Sequence, residues 1–231
     1  MKVEQIKAKV ESINPLTDSI LQLILSPEYY VDYKAGQYLN IILDEQEFSY
    51  SIANAPLGSK KYELHIRHSK DNDSNKNILA LIKDKGELAI KLPLGECFLN
   101  KLEPNKPILF IAGGTGFAPI KAMIEQLLTN GDERSFELIW GARAKNDLYM
   151  DDKVSLWKAH VSHFNYYSLF EGSKDGLAHI IERHHPNDLK DWQIVINGPF
   201  DMVFAIRDFL INKGLEQKQL YSDAFYFEGK I

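Results

Sequence analysis

Residues 3–92 carry their apolar side chains in short alternating runs. Val3–Ser12 alternates loosely, Ser19–Leu25 is rich in β-formers, and Tyr38–Leu43 follows a turn at Gly36. Phe48–Ala53 and Tyr62–His68 continue the pattern between Asn54, Pro56, Gly58 and Asp71, and Gly86-Glu87 leads into Leu88–Leu92. Short strands of period two, separated by turn residues, predict an all-β barrel or sandwich. One helical turn is expected over Asn77–Lys83, after a polar surface loop at Asp71–Asn77.

The pattern changes at the proline-punctuated link Leu102–Pro107. Strand-like apolar runs at Ile108–Ala112, Phe136–Trp140, Asn165–Phe170 and Trp192–Asn197 alternate with helical periodicity at Pro119–Asn130, Asp151–Ala159, Leu177–His184 and Phe200–Lys213. A last strand is expected over Leu220–Phe227. Alternating strand and helix predicts a parallel sheet with right-handed crossovers. The expected organisation is an antiparallel β-barrel domain over 1–102 and an α/β domain over 103–231.

Composition narrows the chemistry. The chain has 231 residues, 45% of them hydrophobic, and a net charge of −5, so it can bury a core and is a poor partner for nucleic acid. The longest uncharged stretch, Pro107–Ile120, falls short of the roughly 20 apolar residues of a membrane span. No signal-like segment opens the chain, so a cytoplasmic protein is expected. The lone cysteine, Cys97, excludes an internal disulfide, a CxxC pair and a cysteine-bound iron–sulfur cluster. Any redox chemistry must therefore use a borrowed organic cofactor. The histidines form no ligand-like cluster, and no metal is expected.

The most informative stretch is Ile108–Pro119, in which a hydrophobic strand meets Gly113-Gly114-Thr115-Gly116 and a helix follows. Such a turn lets backbone N–H groups approach an anion, and the helix N-terminus adds about half a positive charge. A phosphate or pyrophosphate is the natural ligand; a tight turn that needs glycine for packing alone is the alternative. The second strand of this half ends in Gly141-Ala142-Arg143, where an arginine can pair with a ribose phosphate. Asn197-Gly198-Pro199-Phe200 repeats the strand–turn–helix logic. All three lie at the carboxyl ends of strands, where open α/β sheets bind ligands.

These motifs, with Ala35-Gly36-Gln37-Tyr38, Tyr50-Ser51-Ile52-Ala53-Asn54, Glu63-Leu64-His65-Ile66, Pro93-Leu94-Gly95-Glu96, Leu148-Tyr149 and Asp223-Ala224-Phe225, run in register along nearly the whole chain. The chain resembles the NAD(P)H:flavin oxidoreductases of the ferredoxin–NADP⁺ reductase superfamily. The resemblance implies an N-terminal flavin-binding barrel, a C-terminal nicotinamide-binding domain, and hydride transfer where the two meet. It implies catalytic roles for Ser51 and Thr115. It implies flavin contacts at Phe48, Ser49, Tyr50, Ser51, Ile52, His65, Ile66, Arg67 and Phe225. Nicotinamide-nucleotide contacts are implied at Gly113, Gly114, Thr115, Gly116, Arg143, Gly198, Pro199, Phe200 and Met202. Phe225 and Phe227 are apolar anchors that cover the flavin or else pack a last strand on the sheet.

Two departures refine the expectation. Phe48 stands where the superfamily usually has an arginine for the flavin phosphate, with Glu45 and Glu47 nearby. An acid pair beside a phosphate is unfavourable, so FMN, FAD or riboflavin is expected as a loosely bound, exchanging substrate, with Arg67 as the nearest replacement cation. Asn197 stands where many members have cysteine, a residue that the small flavin reductases also lack. Reduced flavin would serve a monooxygenase or a ferric acceptor. The alternative is a reductase with bound FAD that feeds a protein partner such as an oxygenase or ferredoxin.

Overall fold

A computed structural model describes residues 2–43, 45–68, 80, 86–171, 173, 176–185 and 189–228. The expected loop 71–77 and, but for Ala80, the expected turn 77–83 lie outside them. By their contacts the residues form two units, 1–99 with 118–131, and 100–117 with 132–231.

In the first unit, strands β1 (Glu4–Thr17), β2 (Ile20–Pro27), β3 (Tyr38–Leu43), β4 (Gln46–Ser51), β5 (Tyr62–Arg67) and β6 (Glu87–Leu94) form one sheet in the order β4-β3-β6-β1-β2-β5. Every neighbouring pair is antiparallel. A bridge between Ile52 and Leu64 joins the two edges and curls the sheet into a barrel. Alternation sends Leu23, Leu25, Leu39, Ile41, Ile52, Leu64, Ile90 and Leu92 into a closed core, with Tyr62 packed among them. Each such burial contributes about 1.5–3 kcal/mol. β1 runs past its expected end and through Pro15. Beyond Val10 it pairs, among the described residues, with β2 alone, and a one-sided strand tolerates a proline. Helix α1 (Phe117–Thr129) contributes its residues from Ala118 onward to this unit.

In the second unit, β7 (Ile108–Gly113), β8 (Phe136–Ala142), β9 (Phe164–Phe170), β10 (Gln193–Asn197) and β11 (Leu220–Tyr221) form a sheet in the order β11-β10-β7-β8-β9. All pairs are parallel. Helices α2 (Asp151–His160), α3 (Leu177–His184) and α4 (Phe200–Asn212) complete the α/β fold. Ile180 and Ile181 of α3, with Val203, Ile206 and Leu210 of α4, pack on Leu109, Ile111, Ile139, Ile194 and Ile196 of the sheet. The strand order reverses between β7 and β10. Their carboxyl ends, Ala112 paired with Asn197, therefore flank the topological switch point.

One expectation is corrected. The strand predicted over Leu220–Phe227 ends at Tyr221, and Asp223–Phe227 is a 3-10 turn. Ser222 Oγ accepts the Ala224 N–H at 3.2 Å, capping the turn and ending the ladder. Among the described residues, no helix is long and apolar enough to cross a membrane, and no group of three His, Cys, Asp or Glu side chains is placed to hold a metal.

Candidate functional site

The carboxyl edge of the parallel sheet carries the glycine loop. Gly114 takes a left-handed φ of 54°, and Gly114–Gly116 forms one 3-10 turn. The Phe117 N–H donates to the carbonyls of Gly114 and Thr115, which starts α1. Trp140 donates Nε1–H to the same Gly114 carbonyl at 3.0 Å. Its ring stacks on Phe117 at 4.0 Å and meets Tyr149 edge-on at 5.1 Å. The Trp-Gly-Ala-Arg and Leu-Tyr motifs thus buttress the turn, a role that sequence reading did not assign to Trp140 or Tyr149.

The second loop lies against the first. A Cβ added at Gly116 would stand 2.2 Å from the Asn197 carbonyl oxygen and 2.7 Å from Gly198 Cα. One at Gly198 would meet the backbone of Gly113 at 3.1 Å, and one at Gly113 would meet Met202 Sδ at 2.4 Å and Pro199 Cδ at 3.1 Å. Gly116 and Gly198 are therefore required for the backbones of the two loops to approach, and Gly113 for Met202 to pack where it does, which is the packing reading of these glycines. Met202 is the side chain both loops close upon. Pro199 caps α4, and Phe200 follows it with a ring 42% exposed, 6.3 Å from Phe204 and 6.0 Å from Phe227.

Three further features mark this edge. Asn197 Nδ2 is buried with no hydrogen-bond partner among the described residues, an arrangement that is costly unless a ligand or water completes it. Arg143, just beyond β8, is exposed and makes no ion pair among the described residues. A cavity of about 350 Å³ opens beside Ile111, Ile139, Leu169, Leu177, Met202 and Phe209, and it is lined almost wholly by apolar groups. Thr115 is half-buried within the 3-10 turn. Phe225 sits on the final 3-10 turn, its ring 6.3 Å from Phe204 and 5.9 Å from the Arg207 guanidinium, packed on the core of its own unit.

In the first unit, β4 pairs along its length, among the described residues, with β3 alone. Phe48 and Tyr50 turn inward to the barrel core, and burial pushes the Tyr50 hydroxyl up to about 12. Ser49 and Ser51 lie on the opposite face, with Ser49 Oγ donating to Asn40 Oδ1 at 2.8 Å. Ser51 is half-buried. Ile52 and Ile66 are core residues, so at the surface they offer backbone rather than side chain. Glu47 is not a bare acid, because Lys91 Nζ donates to it at 2.8 Å and holds its carboxyl below the usual range. That corrects the expected acid pair: of the two, Glu45 alone has no cation partner among the described residues, and it is exposed at the hairpin turn.

His65 is enclosed rather than presented. Its Nε2 lies 2.8 Å from Glu63 Oε1, which also accepts from Gln22 Nε2 at 2.8 Å. Lys121, 2% exposed, approaches Glu63 Oε2 at 3.1 Å and Glu125 Oε1 at 3.0 Å. Burial alone would raise the Glu63 carboxyl, but His65, Lys121 and Gln22 outweigh it and hold it far below the usual range. Burial pushes the His65 imidazole down, against the opposing pull of Glu63. In the second unit Glu137 is likewise lowered, its burial outweighed by His185 Nε2 at 3.0 Å and Asn165 Nδ2 at 3.0 Å. Arg67 ends β5 opposite Ile20, half-buried.

These shifts fix the sign of an acid response. His65, Glu63 and Glu137 all take up protons more readily unfolded than folded. Their stabilisation is full above their ordinary values of 6.5 for His65 and 4.5 for the two glutamates, and is lost as pH falls below them. The urea midpoint is expected to hold from about pH 8 to about pH 7, decline below about 6.5, and fall more steeply below about 4.5. His65→Gln should remove the first decline and leave the second. An unchanged first decline in that variant would assign it to another group.

Comparison with known proteins agrees with this fold. Residues 110–208 match the family model of the oxidoreductase NAD-binding domain. The chain is 35% identical over 225 residues to the CDP-6-deoxy-L-threo-D-glycero-4-hexulose-3-dehydrase reductase of Yersinia pestis, covering 94% of this chain and 68% of that protein. It is 32% identical over 235 residues to the NAD(P)H-flavin reductase of Aliivibrio fischeri, covering 96% of this chain and 99% of that one. The fold matches the ferredoxin reductase in carbazole 1,9a-dioxygenase with a TM-score of 0.80 at 19% identity, over 97% of this chain and 70% of that structure. A flavin-binding barrel fold joined to a nicotinamide-nucleotide-binding α/β unit, with relatives aligned over almost its full length, places this chain in the NAD(P)H:flavin oxidoreductase family of the ferredoxin–NADP⁺ reductase superfamily.

Proposed function

We propose that the protein is an NAD(P)H-dependent flavin reductase that takes FMN, FAD or riboflavin as an exchanging substrate. The observation that carries the exchange is Phe48. At the position where the resemblance expects a phosphate-binding arginine, a ring packs on the barrel core instead. A flavin held without that charge is gripped through its ring system and released.

The residues present fit both groups. Two loops that only glycine lets close, with the orphaned Asn197 Nδ2 beside them, suit a nicotinamide dinucleotide at a switch point. The Gly114–Gly116 turn and the α1 N-terminus would receive its pyrophosphate, and the apolar cavity would receive an uncharged ring. The β4 edge, with Ser51 opposite the core, suits a flat heterocycle that needs hydrogen-bond partners along one side. When bound, the pair supplies hydride transfer from nicotinamide C4 to flavin N5. Ser51 would donate a hydrogen bond to the flavin and stabilise the charge that develops there. Thr115, in the turn, would orient the nicotinamide end.

The test is oxidation of NADH and of NADPH with and without added FMN. Strong stimulation by FMN, with flavin lost on gel filtration, is expected. No stimulated oxidation by either nicotinamide would overturn the reading. In the same assay Arg143→Ala should raise KM for NADPH by about tenfold or more and leave that for NADH within about twofold, because a charge-assisted bond to the extra phosphate is worth roughly 1.5–3 kcal/mol. Equal shifts for the two would remove Arg143 from phosphate recognition.

A second reading keeps the chemistry but changes the acceptor. The Yersinia pestis relative is named as the reductase of a dehydrase, which favours delivery of electrons to a protein partner. Stoichiometric FAD retained through gel filtration, with little stimulation by free FMN, would support it.

A further inference from the structure

Lys121 is the least expected residue of helix α1. The helix reads FAPIKAMIEQLLT, and its first turns are buried, Lys121 included. A buried lysine adds little to stability by itself, since the desolvation of a buried pair offsets much of its attraction. Its contacts point to a more specific task. Three oxygens surround its Nζ: the Ala53 carbonyl at 2.9 Å, Glu63 Oε2 at 3.1 Å and Glu125 Oε1 at 3.0 Å. Those three acceptors match the three N–H donors of the side chain. Glu125 reaches the same segment through its other oxygen, which accepts the Ala55 N–H at 3.3 Å.

The segment so held, residues 53–55, begins one residue beyond the bridge from Ile52 to β5 and belongs to no strand. One backbone bond to β5 holds it, and side chains supply the rest. Tyr33 Oη donates to the Asn54 carbonyl at 2.8 Å, Asn54 Oδ1 accepts the Glu63 N–H at 2.8 Å, and Ala53 N–H donates to the Glu63 carbonyl at 2.7 Å. Lys121 thus ties α1 and β5 to the peptide two residues past Ser51.

We infer that Lys121 is a positioning residue: its Nζ, seconded by Glu125, fixes the backbone after Ser51 and so sets the shape of the flavin edge. This rests on the reading of β4 as that edge. Sequence pattern alone carried a hint, a Lys–Glu pair four apart on an otherwise apolar helix face.

Lys121→Met leaves Glu63 and Glu125 without their cation and risks unfolding. The informative variant combines Lys121→Met with Glu63→Gln and Glu125→Gln, which removes the charges together while the carbonyl of Ala53 still lacks its donor. Three readouts are compared with wild type: the urea midpoint, amide hydrogen exchange at residues 52–55, and FMN affinity by fluorescence quenching. The triple variant should recover most of the midpoint lost in Lys121→Met. Its amides at 52–55 should exchange about tenfold faster or more, and it should bind FMN about fivefold more weakly or worse, since small displacements of positioning groups cost large factors. Recovery of exchange and FMN affinity together with the midpoint would overturn the inference and leave Lys121 a structural ion. Wild-type protein that neither binds FMN nor is stimulated by it would overturn the flavin reading instead, whatever the exchange rates.

Discussion

Gly116→Ala should cost about a hundredfold in kcat/KM for the nicotinamide and destabilise the fold by about 1–3 kcal/mol. The added methyl would stand 2.2 Å from the Asn197 oxygen, 2.5 Å from the Asn197 carbonyl carbon and 2.7 Å from Gly198 Cα. All three are backbone atoms, so no rotamer change relieves the clash. The loops must part, and the phosphate-binding turn parts with them. Gly113→Ala is the contrast. Its nearest obstacles are Met202 Sδ at 2.4 Å and Cε at 2.8 Å, the far end of a flexible side chain that can swing away. Gly176→Ala, with nothing within 4 Å, serves as the control. The three variants are compared by urea titration and by nicotinamide oxidation kinetics. Equal losses for Gly113 and Gly116 would refute the account in which backbone-to-backbone approach is the constraint.

Ser51→Ala should lower kcat by about ten- to a hundredfold and leave FMN affinity within about threefold. Ser51 pairs with Tyr38 in β3 and lies opposite the inward Tyr50, so alanine keeps the strand and the core. What is lost is a donor that matters most when charge builds on the flavin. The urea midpoint should move little, because the change makes no cavity in the core. A kcat equal to wild type would sink the catalytic role. A parallel loss of affinity and rate would make Ser51 a binding residue only.

Much of the fold was legible because burial imposes its own period. Tyr38–Leu43 and Leu177–His184 were read with their observed ends, where turn and cap residues punctuate clear periodicity. Local signals misled where a neighbour decided the outcome. The first strand was expected to end at Ser12, yet it continues through Pro15 on β2, with no partner on its other side among the described residues. Leu220–Phe227 looked like a strand, yet the Ser222 hydroxyl offered the backbone a turn.

The site was legible only as loops. Gly113, Gly116 and Gly198 stood out in the sequence, but that they face one another is a property of strand order, which no local window contains. His65 and Ile66 were named from a motif. Alternation on β5 sends Ile66 into the core, while a lysine far along the chain encloses His65 together with Glu63. Lys121 itself went unnoticed because a lone lysine on a helix is usually a solvated one.

Helix α1 leaves the ribosome after all six barrel strands. Until it does, Glu63 has no buried cation and the Ala53 carbonyl no side-chain donor. The barrel sheet can form early in synthesis, but the segment after Ser51 matures only once the first strand of the parallel sheet has also been made. A gene cut after residue 102 would express the barrel strands without their latch.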